Sequence, residues 1–404
     1  MIQRKNYIEK LFSWRDSRVI KVVTGIRRCG KSTLLLQYQE ELKRVGVTEE
    51  QIVAINFEEL ENEYLLDYRR LHQYIMERKA ADKMTYVFLD EIQKVQDFEK
   101  AVDSLYVKEN MDIYITGSNA YLLSSDIATL LSGRYVEIKM LPLSFAEYRS
   151  LMSLEKGEAF ARYLRTGGMP YAVQLGTDES KIGTYLEGIY STVIIRDIEE
   201  RQMRGSTKKD ARRVTDILLL KRIATYLASV IGSPVSVRSI TDYLVSSGRK
   251  VSPNTVSDYV DTLLQAFVFY AAERFDIVGK ELLRTNQKLY MVDLGLRNYI
   301  LPRRTYDFGF SLENVVYFEL LRRGYKVYVG KQGKVEIDFV AEKNATYTYI
   351  QVTADMTAEE TFQREMRPLE SIRDNYEKYI FTMDYNTPGD YGGIRVKHLL
   401  DWLG

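Results

Sequence analysis

The sequence predicts an α/β chain that opens on a parallel sheet and continues through helical and mixed segments. Three observations carry that expectation. Short β-branched runs alternate with helical stretches over the first 150 residues, a glycine-rich loop joins one run directly to a helix, and a helix–strand–strand–strand order recurs near the end of the chain. At 404 residues the chain exceeds one compact core, so several units are expected.

The first run, "RVIKVVT" (18–24), lacks a helical period and reads as a buried strand feeding a loop. That loop, Gly25-Ile26-Arg27-Arg28-Cys29-Gly30-Lys31-Ser32, matches G-x-x-x-x-G-K-[ST], and Thr33 then opens a helix in "STLLLQYQEELKR". Glycines at these positions let successive backbone N–H groups converge on phosphate oxygens. The helix N-terminus adds partial positive charge, Lys31 suits β- and γ-phosphate oxygens, and Ser32 suits Mg²⁺. Without its flanking strand and helix the same stretch would be only a glycine turn.

"QIVAINF" (51–57) is the next strand, and "TYVFLDEIQKV" (85–95) the third. The third run ends in Asp90, expected to hold Mg²⁺, followed by Glu91, expected to polarise an attacking water. "DIYITGSNA" (112–120) is a fourth strand, ending in a polar cluster where Ser118 or Asn119 could sense the γ-phosphate; ordinary turn chemistry explains these residues equally well. "LLSGRYVEIKMLPLSFAEY" supplies a fifth strand near residues 135–140. A parallel sheet of this kind places its ligand at the C-terminal ends of the strands.

Taken in order, the glycine loop, "FLDEIQKV", "ITGSNA", "LSGRY" and "LPLSFAEY" resemble the AAA-type P-loop ATPases that carry a C-terminal domain of unknown function numbered 4143 (DUF4143). The resemblance covers nearly the whole chain. It implies an additional-strand ATPase core over 1–150, ATP and Mg²⁺ as ligands, glutamate-assisted hydrolysis, and an arginine reaching the γ-phosphate in cis or from a neighbouring subunit. Arg134 is the first candidate for that arginine and Arg196 the second. A surface arginine or a helix-face ion pair is the plain alternative for each.

Residues 151–215 read as a helical lid and linker, broken by a turn at Gly167, Gly168 and Pro170. Within them "RQMRGSTKKDARR" offers Arg201, Arg204, Lys208, Lys209, Arg212 and Arg213 to nucleic-acid phosphates, or to solvent as a plain linker. Residues 216–300 resemble a winged helix. "SVRSITDYLVSS" and "SPNTVSDYVDTLLQAF" form its helix pair, Ser252 caps the second helix, Pro253 follows it, and "VFYAAERFD" and "KLYMVD" suit a wing. Its outer face, with Asn254, Thr255, Ser257, Asp258 and Asp261, suits protein better than phosphate; only Arg249 and Lys250 favour DNA.

Over 301–404, "FSLENVVYFELLRRGYKVYVGKQGKVEIDFVAEKNATYTYIQVT" (310–353) resembles a PD-(D/E)XK nuclease core. That resemblance puts Glu313 at the helix acid and Asp338, with Glu336 beside it, at the strand acid. Gln351 and Thr353 stand where a carboxylate and a lysine belong, so the site reads as degenerate and cleavage is not expected.

Composition narrows the chemistry. One cysteine makes no internal disulfide, and two histidines, His72 and His398, make no histidine-rich metal site. A formal charge of +1 gives no overall attraction for nucleic acid. No apolar run is long enough to span a bilayer, and the first residues are charged, so a cytoplasmic chain without a membrane partner is expected. The reading favoured by these observations is an ATPase that rearranges winged-helix and nuclease-like modules, with DNA as the expected associate. An ATP-gated switch or scaffold for protein partners or self-association, with slow turnover, is the first alternative, and an ATP-regulated DNA nuclease the second.

Overall fold

Five β-branched runs become five strands close to their expected limits: β1 (Ile20–Thr24), β2 (Ile52–Asn56), β3 (Thr85–Asp90), β4 (Met111–Gly117) and β5 (Tyr135–Lys139). This computed structural model describes residues 2–117, 133–191, 216–301 and 308–404. The strands stand in the order β2-β3-β4-β1-β5, and every pairing is parallel. Helices α1 (Lys5–Ser13), α2 (Lys31–Arg44), α3 (Tyr68–Glu77) and α4 (Phe98–Tyr106) accompany them. All residues of β1 and β3 are buried, as a sheet covered on both faces requires. Val22, Ile55, Val87, Leu89 and Ile115 share a core with Leu71, Ile75, Val102 and Leu105.

Inside this sheet the wholly buried Lys21 of β1 forms an ion pair with Asp112 of β4. Asp112 also accepts from Tyr114 Oη at 2.8 Å and from the Asp16 N–H at 2.9 Å, while Lys21 donates to the Ser17 carbonyl at 2.9 Å. Burial lowers the Lys21 pKa and raises that of Asp112 despite their mutual attraction. The pair therefore carries a desolvation cost that its hydrogen bonds offset.

The chain divides into two compact units, one comprising Met1–Pro142 and Gln265–Phe267, the other Leu143–Leu264 and Val268–Gly404. The divisions expected after residues 215 and 300 fall inside the second unit. It begins with α5 (Phe145–Arg149), α6 (Lys156–Thr166) and α7 (Pro170–Gln174), continues through α8 (Ile217–Ser229), α9 (Val237–Ser246) and α10 (Pro253–Gln265), and adds α11 (Leu294–Ile300), α12 (Phe308–Arg322), α13 (Glu359–Glu370) and α14 (Leu399–Leu403). Its strands are β6 (Pro234–Val235), β7 (Phe269–Asp276), β8 (Glu281–Met291), β9 (Lys326–Gln332), β10 (Val335–Lys343), β11 (Thr346–Thr353), β12 (Glu377–Thr382), β13 (Gly389–Tyr391) and β14 (Ile394–His398). They form one mixed sheet in the order β13-β14-β12-β11-β10-β9-β7-β8-β6.

The two strands expected as a wing are thus not a free hairpin. β7 and β8 pair antiparallel as expected, and β7 also pairs parallel with β9 through Arg274↔Val329 and Phe275↔Gly330. Asn314 of α12 secures the junction, accepting from the Met291 N–H at 2.9 Å and donating to the Met291 carbonyl at 2.8 Å. The expected helix pair is present as α9 and α10, with Ser252 Oγ accepting the Thr255 N–H at 3.2 Å. Val256, Val260 and Leu263 are buried, as their spacing predicts.

Gly167 and Gly168 serve a local purpose in this unit. Buried Asp293 accepts the Gly168 N–H at 2.6 Å and the Leu296 N–H at 3.0 Å, so one carboxyl caps α11 and ties down the glycine turn. A Cβ at Gly167 would lie 2.1 Å from that carboxyl, and φ there is +74°. Burial pushes the Asp293 pKa up to about 6 against these hydrogen bonds.

Candidate active site

The glycine loop leaves the C-terminal end of β1 and enters α2. Gly25 has φ +148°, and a Cβ there would stand 2.1 Å from the Met140 carbonyl oxygen. Gly30, at φ +103°, is the N-cap of α2, whose first N–H groups have no helical partner. Lys31 is buried, its Nζ donating to the carbonyls of Gly25 at 3.1 Å and Ile26 at 3.3 Å. Ile26 and Arg27 are buried, Arg28 is exposed at φ +68°, Ser32 is exposed and Thr33 half-buried. Arg27 also faces Glu58 at 3.6 Å.

The acidic side of the site comes from β3. The register opposes Leu89 to Ile115, making Asp90 and Thr116 neighbours at the ends of adjacent strands. Thr116 Oγ1 donates to Asp90 Oδ1 and accepts the Glu91 N–H at 3.0 Å. One hydroxyl serves both because it has a proton to give and lone pairs to offer. Burial raises the Asp90 pKa; the nearby Ser32 and Thr116 hydroxyls and the Lys31 charge oppose it, and Glu91 reinforces it.

Glu91 is buried and left-handed at φ +56°, a costly backbone for a glutamate and one concentrated at functional sites. Gln93 Nε2 donates to Glu91 Oε2 and so fixes the direction of the carboxylate. A Mg²⁺-bound polyphosphate fits this set. The loop has no Cβ at Gly25 or Gly30, an ammonium lies against the loop, and Ser32 with Asp90 offers the hard oxygen donors that Mg²⁺ prefers.

Three contributors carried no local signal in the sequence. Thr116 lies in an apolar strand, Gln93 is a polar residue in a turn, and Arg4 is one of several charges near the start. Buried Arg4 donates to the Cys29 carbonyl at 3.3 Å and the Leu141 carbonyl at 2.8 Å, so the loop is braced from behind. Cys29 is buried, with Sγ 3.6 Å from the Met140 carbonyl, and burial pushes its thiol pKa up. It is a packing residue of the loop.

Arg134 stands at the end of the sheet opposite the glycine loop. Its carbonyl accepts the Ile20 N–H at 2.7 Å, at the N-terminal end of β1, and its guanidinium pairs with Asp103 and lies over the Tyr106 ring. The length of β1, roughly 16 Å, separates it from the glycine loop of its own chain, so it does not reach that loop in cis. Ser118, Asn119, Arg196, Arg201, Arg204, Lys208, Lys209, Arg212 and Arg213 lie outside the described residues. Lys250 is exposed, whereas Arg249 is engaged with Asp216, the N-cap of α8.

A second constellation gathers the acids of the C-terminal stretch. Glu313 on α12 and Glu336 and Asp338 on β10 surround Lys288 of β8, whose Nζ lies 3.3 Å, 2.9 Å and 4.0 Å from their respective carboxylates. Gln351 Oε1 accepts the Asp338 N–H at 2.7 Å, the Val352 N–H reaches Asp338 Oδ2 at 2.8 Å, and Tyr290 Oη donates to Glu313 at 3.3 Å. Burial, reinforced by the acids' own repulsion, raises Glu313 and Asp338; burial alone would lower Lys288, but the three carboxylates hold it above its ordinary value. Thr353 Oγ1 donates instead to the Asp355 carbonyl at 3.1 Å.

Residues 17–149 match the family model described as "AAA domain", and residues 157–307 match "Domain of unknown function (DUF8612)", where motif order led to an expectation of DUF4143. An uncharacterized protein of Haemophilus influenzae is 39% identical across 100% of this chain and 98% of its own length. An uncharacterized protein of Methanocaldococcus jannaschii is 28% identical over 80% of this chain and 71% of its own. Among solved structures, a Walker-type ATPase of Pyrococcus abyssi is similar at 16% identity and a TM-score of 0.49, over 74% of this chain and 96% of that one. No helix among the described residues is long and apolar enough to cross a membrane. A glycine loop lies at the end of β1 and acids at the end of β3, the AAA-domain match over residues 17–149 spans both, and the chain belongs to the same protein family as the Haemophilus influenzae protein.

Proposed function

We propose that the chain hydrolyses ATP in a Mg²⁺-dependent reaction and uses the cycle to rearrange its second unit. The observation that carries this reading is the hydrogen-bonded row Asp90–Thr116–Glu91 at the end of β3, with the Lys31 ammonium held against the glycine loop. Lys31 binds β- and γ-phosphate oxygens, and the loop N–H groups cradle the phosphates. Ser32 and Asp90 would hold Mg²⁺, which when bound neutralises charge on those oxygens. Glu91, aimed by Gln93, orients the attacking water and accepts its proton. Thr116 keeps the two acids in register.

Turnover by purified chain tests this. Lys31→Ala should abolish binding or turnover, and Glu91→Gln should bind ATP while hydrolysing it about 10²-fold more slowly or worse. Equal rates in wild type and Glu91→Gln would remove the glutamate from the mechanism.

A second reading, an ATP-gated contact with a protein partner, is favoured by α10, where Asp261 is exposed, and by the commitment of Arg249 to Asp216. Turnover with and without duplex and single-stranded DNA across a salt series separates the two. Salt-sensitive stimulation supports DNA as partner, whereas no stimulation together with no salt-dependent binding favours the protein reading.

A further inference from the structure

The resemblance of residues 310–353 to a PD-(D/E)XK nuclease core implies a divalent metal held by Glu313, Asp338 and an acid of the third strand, but the residues present do not fit one. The third-strand position is Gln351, whose Oε1 is committed to the Asp338 backbone N–H at 2.7 Å. One Asp338 oxygen is likewise taken by the Val352 N–H at 2.8 Å. The carboxylate oxygens converge instead on Lys288 Nζ, at 2.9 Å from Glu336, 3.3 Å from Glu313 and 4.0 Å from Asp338.

The two shorter separations suit an ammonium among carboxylates, whereas Mg²⁺ draws its oxygen ligands to about 2.0–2.1 Å. Among the described residues no group of His, Cys, Asp and Glu side chains is arranged to hold a metal. The lysine is also firmly placed. Its side chain is 4% exposed, and its backbone sits in β8 between Ala272 of β7 and Pro234 of β6. It arises outside the segment that carries the acids and reaches them only because β8 joins their sheet.

We propose that Lys288 is a built-in cation that stands where a nuclease of this fold would hold its metal, so that the second unit keeps the carboxylate arrangement without the metal chemistry. The lysine neutralises acids that would otherwise repel one another, and a metal could enter only by expelling it. This assignment is independent of the ATP reading and is measured on nucleotide-free, full-length chain.

The test counts bound Mn²⁺ by electron paramagnetic resonance and follows melting temperature against Mn²⁺ concentration. Wild type and Glu336→Gln should bind the same number of ions, since the cage admits none while Lys288 fills it. Lys288→Met should melt lower, bind one ion more than wild type, and recover melting temperature as Mn²⁺ rises; adding Glu336→Gln should remove that gain. A wild-type ion lost in Glu336→Gln, or a folded Lys288→Met that gains none, overturns the proposal. Should Lys288→Met fail to fold, the wild-type and Glu336→Gln counts decide it alone.

Discussion

Thr116 shows how much one hydroxyl holds in place. Thr116→Val keeps the shape and removes both hydrogen bonds, leaving the Glu91 N–H without its acceptor at a cost of about 1–3 kcal/mol. The expected outcome is ATP affinity within a few-fold of wild type and turnover reduced about tenfold or more, measured by equilibrium binding and steady-state hydrolysis. Gly25→Ala should do the reverse and lose nucleotide binding first, because its methyl would meet the Met140 carbonyl at 2.1 Å. The glycines, Lys31, Ser32, Asp90 and Glu91 were legible because each lies in a contiguous motif with a strand before it. Thr116 was not, since threonine in a strand is ordinary and its role exists only through the pairing of β3 with β4. Lys288 was hidden for the same reason: it lies 25 residues before Glu313 and meets it through the fold.

At the scale of elements, two buried carboxyls join segments that are distant in sequence. Lys21 and Asp112 link β1 to β4, and Lys21→Met alone should cost about 3–5 kcal/mol by leaving Asp112 uncompensated. Adding Asp112→Asn removes the stranded charge while keeping an acceptor, and should return at least half of that loss in urea unfolding. Asp293 gives a pH signature. Its carboxyl ordinarily ionises near 4 but holds its proton in the folded chain up to about pH 6, so its contribution is full in acid and is lost as pH rises through about 6. Relative to Asp293→Asn, wild type should therefore lose up to about 3 kcal/mol between pH 4 and 7, read from paired unfolding curves. A pH-independent difference would show that the carboxyl titrates normally. Helix periodicity exposed α9 and α10 in the sequence, but nothing local marked Asp293 as the cap of α11 and the anchor of Gly168.

For the molecule as a whole, the first sheet was readable strand by strand and the second was not. Parallel strands buried on both faces announce themselves as apolar runs, whereas the union of β7 with β9 depends on residues about 55 apart in sequence. That union predicts how the chain can be divided. A fragment of residues 143–300 exposes the edge of β7 that β9 covers and loses Asn314, so it should be insoluble or lack dispersed amide resonances, while 143–404 should fold. A well-folded 143–300 fragment would restore the separate winged-helix unit expected from sequence. Because the fourth residue bonds the carbonyl of Cys29, removing or replacing Arg4 loosens the glycine loop from a place far from it in sequence.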